Sequence, residues 1–128
     1  MLDTHMIQTR GFRNRAEGFE VRLRLPYYRG LWTGLVVGAS VTVDGERHAP
    51  EDVTWSIGDR TWSLEGLRAD ETARWSLEQP ATLTVPRTEP LALGFHDVAV
   101  ELRLNMSYIP EELQPTVWWE ERRLVISQ

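Results

Sequence analysis

The sequence lacks cysteine, an excess of basic residues and any long apolar run, and each absence excludes a class of protein. Without cysteine, the chain has no disulfide scaffold, thiolate metal site, iron–sulfur cluster or cysteine nucleophile. Its 14 basic residues, all arginine, are outnumbered by 19 acidic ones, which argues against nucleic acid or an anionic membrane as a partner. No stretch approaches the ~20 apolar residues of a membrane span. Met1–His5 lacks the basic and apolar regions of a signal peptide, so the sequence predicts a cytoplasmic protein.

The chain is long enough for one hydrophobic core and too short for two. A folded protein of 14.8 kDa exposes roughly 7,000 Å² of surface, against about 21,000 Å² for its extended chain. About two-thirds of the surface is therefore buried on folding. The sequence shows no internal repeat, low-complexity tract or linker. We predict a single domain spanning residues 1–128.

Apolar and polar residues alternate along much of the chain, which is the pattern of half-buried β-strands. One run, stopped by Pro26, places four apolar residues on one face: Phe19, Val21, Leu23 and Leu25. The longest run ends at Pro110 and has six: Val98, Val100, Leu102, Leu104, Met106 and Tyr108. A third strand is predicted near the C-terminus, from about Val117 to Ile126.

Shorter strands and tight turns lie between these runs. Asp44-Gly45 follows Ser40–Val43 and predicts a hairpin, because both turn residues tolerate positive φ. The other short strands are predicted at Val53–Ile57, Thr61–Leu64, Trp75–Glu78 and Ala81–Val85. Only Leu64–Ala73 is compatible with a helix. Eight or nine strands around one core predict an all-β, antiparallel β-sandwich, with a closed barrel as the alternative.

The sequence contains no recognisable catalytic or metal-binding motif. His5, His48 and His96 are far apart, and none has a second ligand at helical spacing, although strand residues can converge in space. We interpret His48 and His96 as turn or strand-edge residues. There is no Gly-x-Ser-x-Gly elbow or phosphate-binding loop, and the adjacent acids fall in predicted loops rather than opposed across a cleft. We therefore predict no catalytic residue, no metal ligand and no cofactor in this chain.

Six tryptophans are many for a chain of this size. Aromatic platforms can stack on sugar rings, as in carbohydrate-binding modules, but tryptophan is also a common core residue. Trp118 and Trp119 are neighbours on a predicted strand and must point to opposite faces, so at most one can fill the core. The other must cover a sheet face or contact a partner or a ligand, and an exposed tryptophan of this kind is more often an interface residue.

The segment Leu25-Pro26-Tyr27-Tyr28-Arg29-Gly30 combines two tyrosines, an arginine and a glycine on one turn. Tyrosine and arginine are favoured at interfaces, and an arginine can hold a carboxylate bidentately. The alternative is a turn whose tyrosines cover the core. We name two sets of candidates for a partner interface or a ligand pocket: Pro26, Tyr27, Tyr28, Arg29 and Gly30 in this loop, and Trp118 and Trp119 near the C-terminus.

This hexapeptide resembles a signature of the small β subunit of bacterial C-glycoside deglycosidases. The resemblance continues in order along the chain, from about Gly11 onward, and rests mostly on that order. Its further blocks are Val41–Glu46, Pro80–Val85, Leu93–Val98 and the long strand that runs into Ser107-Tyr108-Ile109-Pro110. Trp118–Glu121 matches no pattern of this family.

The resemblance implies that the chain is an accessory subunit of a hetero-oligomer and is inactive alone. Its partner would be a larger α subunit, a TIM barrel similar to sugar isomerases, which binds a divalent metal, with manganese the expected ion. Such complexes cleave the carbon–carbon bond between a sugar and an aromatic aglycone, such as a flavonoid. Their substrate carries a ketone at sugar C3, which a separate oxidoreductase introduces.

Two other functions are compatible with the residues. A free-standing carbohydrate-binding β-sandwich is the first, although we find neither a signal peptide nor a linker. A small enzyme on a β fold is the second, although we find no nucleophile, metal cluster or opposed acid pair. The leading hypothesis is that the loop Pro26–Gly30 contacts the α subunit near its active site, where it orders partner loops or forms a wall of the aglycone pocket.

Overall fold

The structure is a computed structural model that describes residues 5–106 and 109–127. Its strands are β1 (Arg13–Arg15), β2 (Gly18–Leu23), β3 (Leu31–Trp32), β4 (Val36–Val43), β5 (Glu46–His48), β6 (Thr54–Ile57), β7 (Arg60–Ser63), β8 (Arg74–Trp75), β9 (Ala81–Pro86), β10 (Gly94–Leu104) and β11 (Thr116–Ile126). Helix α1 spans Leu64–Ala69, and short 3₁₀ helices span Thr33–Leu35, Pro50–Asp52 and Glu111–Leu113.

The strands form two main antiparallel sheets and a small third one. The five-stranded sheet has the order β1-β2-β9-β6-β7, the four-stranded sheet has the order β11-β10-β4-β5, and β3 pairs with β8. The all-β prediction is confirmed. The structure has more strands than the eight or nine predicted, because β1 and β3 contain three and two residues. Strands this short show no alternation that a sequence could reveal.

The core lies between the two main sheets. The predicted apolar faces are confirmed: Phe19, Val21 and Leu23 on β2 are fully buried, and so are the inward-facing residues of β10 from Val98 to Leu104. Side chains from both sheets belong to one hydrophobic cluster. Ser107 and Tyr108, the predicted end of the long strand, lie outside the described residues.

Side chains rather than a strand ladder join the sheets along one side. Residues 6–8 run beside β2, and Ile7 forms an isolated antiparallel bridge with Leu23. The peptide groups of Ile7 bond to the other sheet: Ile7 N donates to Glu120 Oε1 at 2.7 Å, and Arg122 Nη1 donates to Ile7 O at 2.6 Å. Both side chains belong to β11, an edge strand. Because the two sheets remain separate ladders, the fold is a sandwich rather than a barrel.

The predicted turn at Asp44-Gly45 is confirmed as the hairpin between β4 and β5. Both residues have positive φ, 49° and 88°, which a two-residue type I′ turn requires. Helix α1 is shorter than the predicted Leu64–Ala73 and begins after Ser63, whose Oγ accepts a hydrogen bond from Gly66 N. Within the described ranges, no helix is long and apolar enough to cross a lipid bilayer.

His96 is buried on β10 rather than at a strand edge, contrary to the interpretation from sequence, because Asp44 and Ala92 satisfy its polar atoms. Its Nδ1 lies 2.6 Å from Asp44 Oδ2, and its Nε2 lies 2.7 Å from Ala92 O. Both partners accept hydrogen bonds, so the arrangement favours the doubly protonated ring. Burial lowers the pKa of His96, but the two acceptors outweigh it and raise the pKa above 6.5. The hydrogen bond from His96, together with that from Asp97 N, lowers the pKa of Asp44.

This pair predicts a protein most stable in mildly acidic solution. The contribution of charged His96 is complete below its unfolded pKa of about 6.5 and is lost as pH rises through its raised folded pKa. The contribution of Asp44 is present above about pH 4 and is lost as pH falls through its lowered folded pKa. We expect the urea midpoint to fall between pH 6 and 9, and to fall less in Asp44→Asn. An NMR titration that places the pKa of His96 below 6.5 would contradict this.

Candidate functional site

A groove of about 280 Å³ lies beside the loop that the sequence singles out. We call it the arginine groove and define it by its lining residues: Tyr27, Arg29, Gly30, Leu31, Trp32, Leu35, Arg74 and Met106. Three of the five predicted loop residues, Tyr27, Arg29 and Gly30, line it. The structure therefore brings this part of the loop together with side chains from distant segments.

The small β3–β8 sheet holds one wall of the groove. Leu31 pairs with Trp75, and Trp32 pairs with Arg74, so the last two side chains lie on the same face. Thr33, directly after β3, is held by two hydrogen bonds. Its N donates to Ala73 O at 3.1 Å, and its buried Oγ1 donates to Leu67 O at 2.9 Å. These bonds fix the position of Trp32 at the rim.

Glycine at position 30 allows the loop to approach β8 closely. A Cβ atom on Gly30 would lie 3.0 Å from Trp75 O and 3.6 Å from Arg74 Nη2. The first distance is shorter than ordinary van der Waals contact. Gly30 thus lets the loop pass beside the Arg74 guanidinium and turn into β3.

The floor of the groove is apolar. Leu31 and Met106 are buried, and Leu35 is half-buried. The backbone around Met106 is fixed by Gln114: Met106 N donates to Gln114 Oε1 at 3.0 Å, and Gln114 Nε2 donates to Met106 O. Asn105 N also donates to Leu35 O at 2.8 Å. The floor is therefore held by hydrogen bonds from two loops.

Aromatic rings and guanidinium groups lie close together at the rim. The Tyr27 and Tyr28 rings lie 4.5 Å apart between centroids, and Arg29 Cζ lies 5.5 Å from the Tyr28 centroid. In the β3–β8 pair, Arg74 Cζ lies 4.6 Å from the centroid of Trp32. The hydrogen bond with Tyr27 raises the pKa of Tyr28 above 10.0, so its hydroxyl stays protonated at neutral pH.

The groove arginines differ from a similar arginine elsewhere in the chain. Arg60 lies 4.9 Å from the centroid of Trp62 and also forms an ion pair with Asp70. Thr72 hydrogen bonds, followed by one from Trp62, hold the pKa of Asp70 far below its usual range. In the described part of the chain, neither Arg29 nor Arg74 has a carboxylate at ion-pair distance. The groove thus carries two cations without an anionic partner among these residues.

The two C-terminal candidates lie apart from the groove. Trp118 points inward and packs against the core, whereas Trp119 points outward and is 62% exposed. The prediction that at most one of them fills the core is confirmed. Neither lines the groove, so the sequence candidates separate into two surfaces: the groove with its loop, and the outer face of β11.

Sequence reasoning missed Trp32 and Arg74. They face each other only because β3 and β8 pair, and each of these strands has two residues. The one available signal in the sequence was the dipeptide Leu31-Trp32. It was too short to be recognised as a strand.

The described residues contain no cluster suited to a metal ion. Across 5–106 and 109–127, no three histidine or carboxylate side chains come close enough to share one. His48 lies on β5 beside Phe19, with ring centroids 5.6 Å apart. These residues do not fit a metal site, so no chemical step is assigned to a metal in this chain.

Comparison with known proteins agrees with the resemblance found in the sequence. The profile of the C-glycoside deglycosidase beta subunit family matches residues 2–108. A C-glycoside deglycosidase beta subunit from Eubacterium cellulosolvens is 30% identical over 119 residues, covering 88% of this chain and 81% of its own. One from Arthrobacter globiformis is 38% identical over 93 residues, covering 70% and 68%.

A relative with a named substrate is also similar. The 3'-dehydrocarminate deglycosidase beta subunit of a Microbacterium species is 33% identical over 100 residues, covering 77% of this chain and 74% of its own. The family match covers the loop, the β3–β8 sheet and the floor of the groove, and it ends before β11. The resemblance seen in the sequence is confirmed: the chain belongs to the C-glycoside deglycosidase beta subunit family.

Proposed function

We propose that this chain is the small accessory subunit of a hetero-oligomeric C-glycoside deglycosidase. The observation that carries the proposal is the family match over residues 2–108. The relatives are named as beta subunits, which implies an α partner. In this proposal the complex cleaves the carbon–carbon bond between the sugar and the aromatic aglycone of a 3-oxo-C-glycoside, a lyase-type reaction.

The reaction explains why such an enzyme would need two kinds of subunit. A C-glycosidic bond has no leaving-group oxygen to protonate, so ordinary glycosidase acid catalysis fails. A ketone at C3 acidifies the C2 proton, which a base can remove before the protonated aglycone is expelled. A divalent ion, manganese in our proposal, would stabilise the enolate oxygen as a Lewis acid. We assign the ion and the base to a TIM-barrel α subunit, since the described residues of this chain do not fit a metal site.

The loop Pro26–Gly30 is our candidate for the contact with that partner. Tyr28 is 72% exposed, and its ring lies between Tyr27 and the Arg29 guanidinium. Tyrosine and arginine are the residue types that contribute most to protein interfaces, and both are exposed on this loop. Trp119 on the outer face of β11 is a second candidate contact. Docking through the loop would place the arginine groove beside the partner's active site.

The accessory role is tested by separating the subunits. This chain and a candidate α subunit should be purified alone and together, and each preparation assayed for aglycone release from a 3-oxo-C-glucoside. We expect activity only in the mixture. Activity of this chain alone would overturn the proposal, and sugar binding by this chain without a partner would favour a carbohydrate-binding module.

The docking loop is tested by substitution. Tyr28→Ala with Arg29→Ala should weaken assembly with the α subunit at least about ten-fold, because tyrosine and arginine are enriched among the few interface residues whose truncation costs about 2 kcal/mol or more. Adding Tyr27→Ala tests the stacked pair, with the thermal transition of the isolated chain as a folding control. Arg60→Gln with Trp62→Phe is the matched surface control. Normal assembly and turnover by the triple variant would exclude the loop as the contact.

A further inference from the structure

We propose that the arginine groove binds a flat aromatic anion, a ring that carries a phenolate or carboxylate group. The inference rests on the proposed function, since an aromatic aglycone is the ligand that a deglycosidase complex would bring to this surface. It goes further by assigning recognition of the aglycone and its charge to this chain. It also adds Trp32 and Arg74 to the residues that recognise the substrate.

The shape and lining of the groove fit one planar aromatic molecule. Its volume of about 280 Å³ is close to the lower end of small-molecule sites. The floor, formed by buried Leu31 and Met106 with half-buried Leu35, offers apolar contact to a ring. Tyr27 and Trp32 also line the groove and offer aromatic surface, and Trp32 is 49% exposed. Apolar surface with a few convergent polar groups is the usual composition of a ligand pocket.

The charge of the groove selects an anion. Arg29 and Arg74 both line it, and the described residues provide neither with a carboxylate. The whole chain has a net charge of −5, whereas the groove carries two positive guanidinium groups that no described carboxylate neutralises. Guanidinium groups bind carboxylate and phenolate oxygens through charge-assisted hydrogen bonds. Their stacking on Tyr28 and Trp32 limits their motion and keeps them at the rim.

Arg60 provides the comparison within the same molecule. It too lies over a tryptophan, but Asp70 neutralises it, and that carboxylate is fixed by Trp62 Nε1 at 3.0 Å and Thr72 N at 2.8 Å. The chain thus supplies an internal anion at one arginine–tryptophan pair and none from its described residues at the other. The anionic group of the bound ligand would take the position beside Arg74 that Asp70 takes beside Arg60.

The test uses the full chain without its partner. The probes are 2-naphthoate and its neutral counterpart 2-naphthamide, followed by calorimetry and by the NMR shift of the Trp32 indole. We expect naphthoate to bind about ten-fold more tightly than naphthamide, and Arg74→Gln to remove that difference. Arg60→Gln is the matched control and should leave both affinities unchanged. Thermal transitions verify that each variant is folded.

Three results would overturn the inference. Equal affinity for the two probes would show that charge does not contribute to binding. Equal effects of Arg74→Gln and Arg60→Gln would show that the probes do not bind in the groove. Absence of binding, together with weaker assembly in Arg74→Gln, would show that an acidic segment of the partner occupies the groove. Each could occur while the mixed subunits remain active, so failure here is distinct from failure of the proposed function.

Discussion

Replacing Trp75 by alanine should lower the free energy of unfolding by about 3–5 kcal/mol, because the cavity left by a buried tryptophan is only partly refilled. Trp75 is fully buried and packs edge to face against Trp55, with centroids 5.6 Å apart. It also pairs with Leu31 and so supports the wall of the groove. For a domain of this size the melting temperature should fall by about 10–25 °C. Urea titration and differential scanning calorimetry measure both quantities.

Two control variants separate the cavity from other effects. Trp119→Ala removes the same side chain from an exposed position and should change stability by less than about 0.5 kcal/mol. Trp75→Phe keeps a ring and deletes the indole N–H, which has no hydrogen-bond partner among the described residues. It should therefore lose less than half as much as the alanine variant. Similar losses in Trp75→Ala and Trp119→Ala would show that Trp75 does not support the core.

Replacing Glu120 by alanine should lower the free energy of unfolding by about 2–3 kcal/mol. The Glu120 carboxylate accepts hydrogen bonds from Ile7 N at 2.7 Å and Met6 N at 3.3 Å. Removing it takes the acceptor from two backbone donors along the side where the sheets are joined. Hydrogen bonds to charged groups contribute about 1.5–3 kcal/mol each, and water offsets part of the loss because Glu120 is only half-buried. The effect should be local as well as global. The Ile7 amide should lose its protection in hydrogen exchange before the core strands do.

The neighbouring residue supplies the control for this prediction. Glu121 points outward from β11, so Glu121→Ala should change stability by less than about 0.5 kcal/mol. Glu120→Gln keeps one acceptor oxygen and should fall between the two. If Glu120→Ala and Glu121→Ala behave alike, or if the Ile7 amide stays protected, the side-chain link between the sheets does not contribute to stability.

The long strands could be predicted because their signal is local. Alternation along β2 and β10 places Leu23 and Leu102 in the core wherever those strands lie in the sheet, since side chains alternate with period two. The turn at Asp44-Gly45 is equally local, because few residue pairs tolerate its backbone angles. Strands β1 and β3 could not be predicted, because they form through pairing with a neighbour and have too few residues to show a pattern.

The candidate site was predictable only in part. The loop from Pro26 to Gly30 was recognisable by composition, and the outward position of one residue of the Trp118-Trp119 pair followed from strand geometry. The contribution of Arg74 and Met106 to the groove was not recognisable, because both come from segments distant in sequence. Buried His96 was misjudged for the same reason: its carboxylate partner Asp44 is distant in sequence and becomes a neighbour only in the folded chain.

By itself, the sequence determined the all-β class, the inward faces of the long strands and membership of the C-glycoside deglycosidase beta subunit family. These follow from patterns within short segments. Only the tertiary structure decided that the sheets form a sandwich linked by Glu120 and Arg122, and that Trp32 and Arg74 stack beside one groove. Those contacts depend on which strands become neighbours, and this is settled by the burial of the whole apolar surface rather than by any local segment.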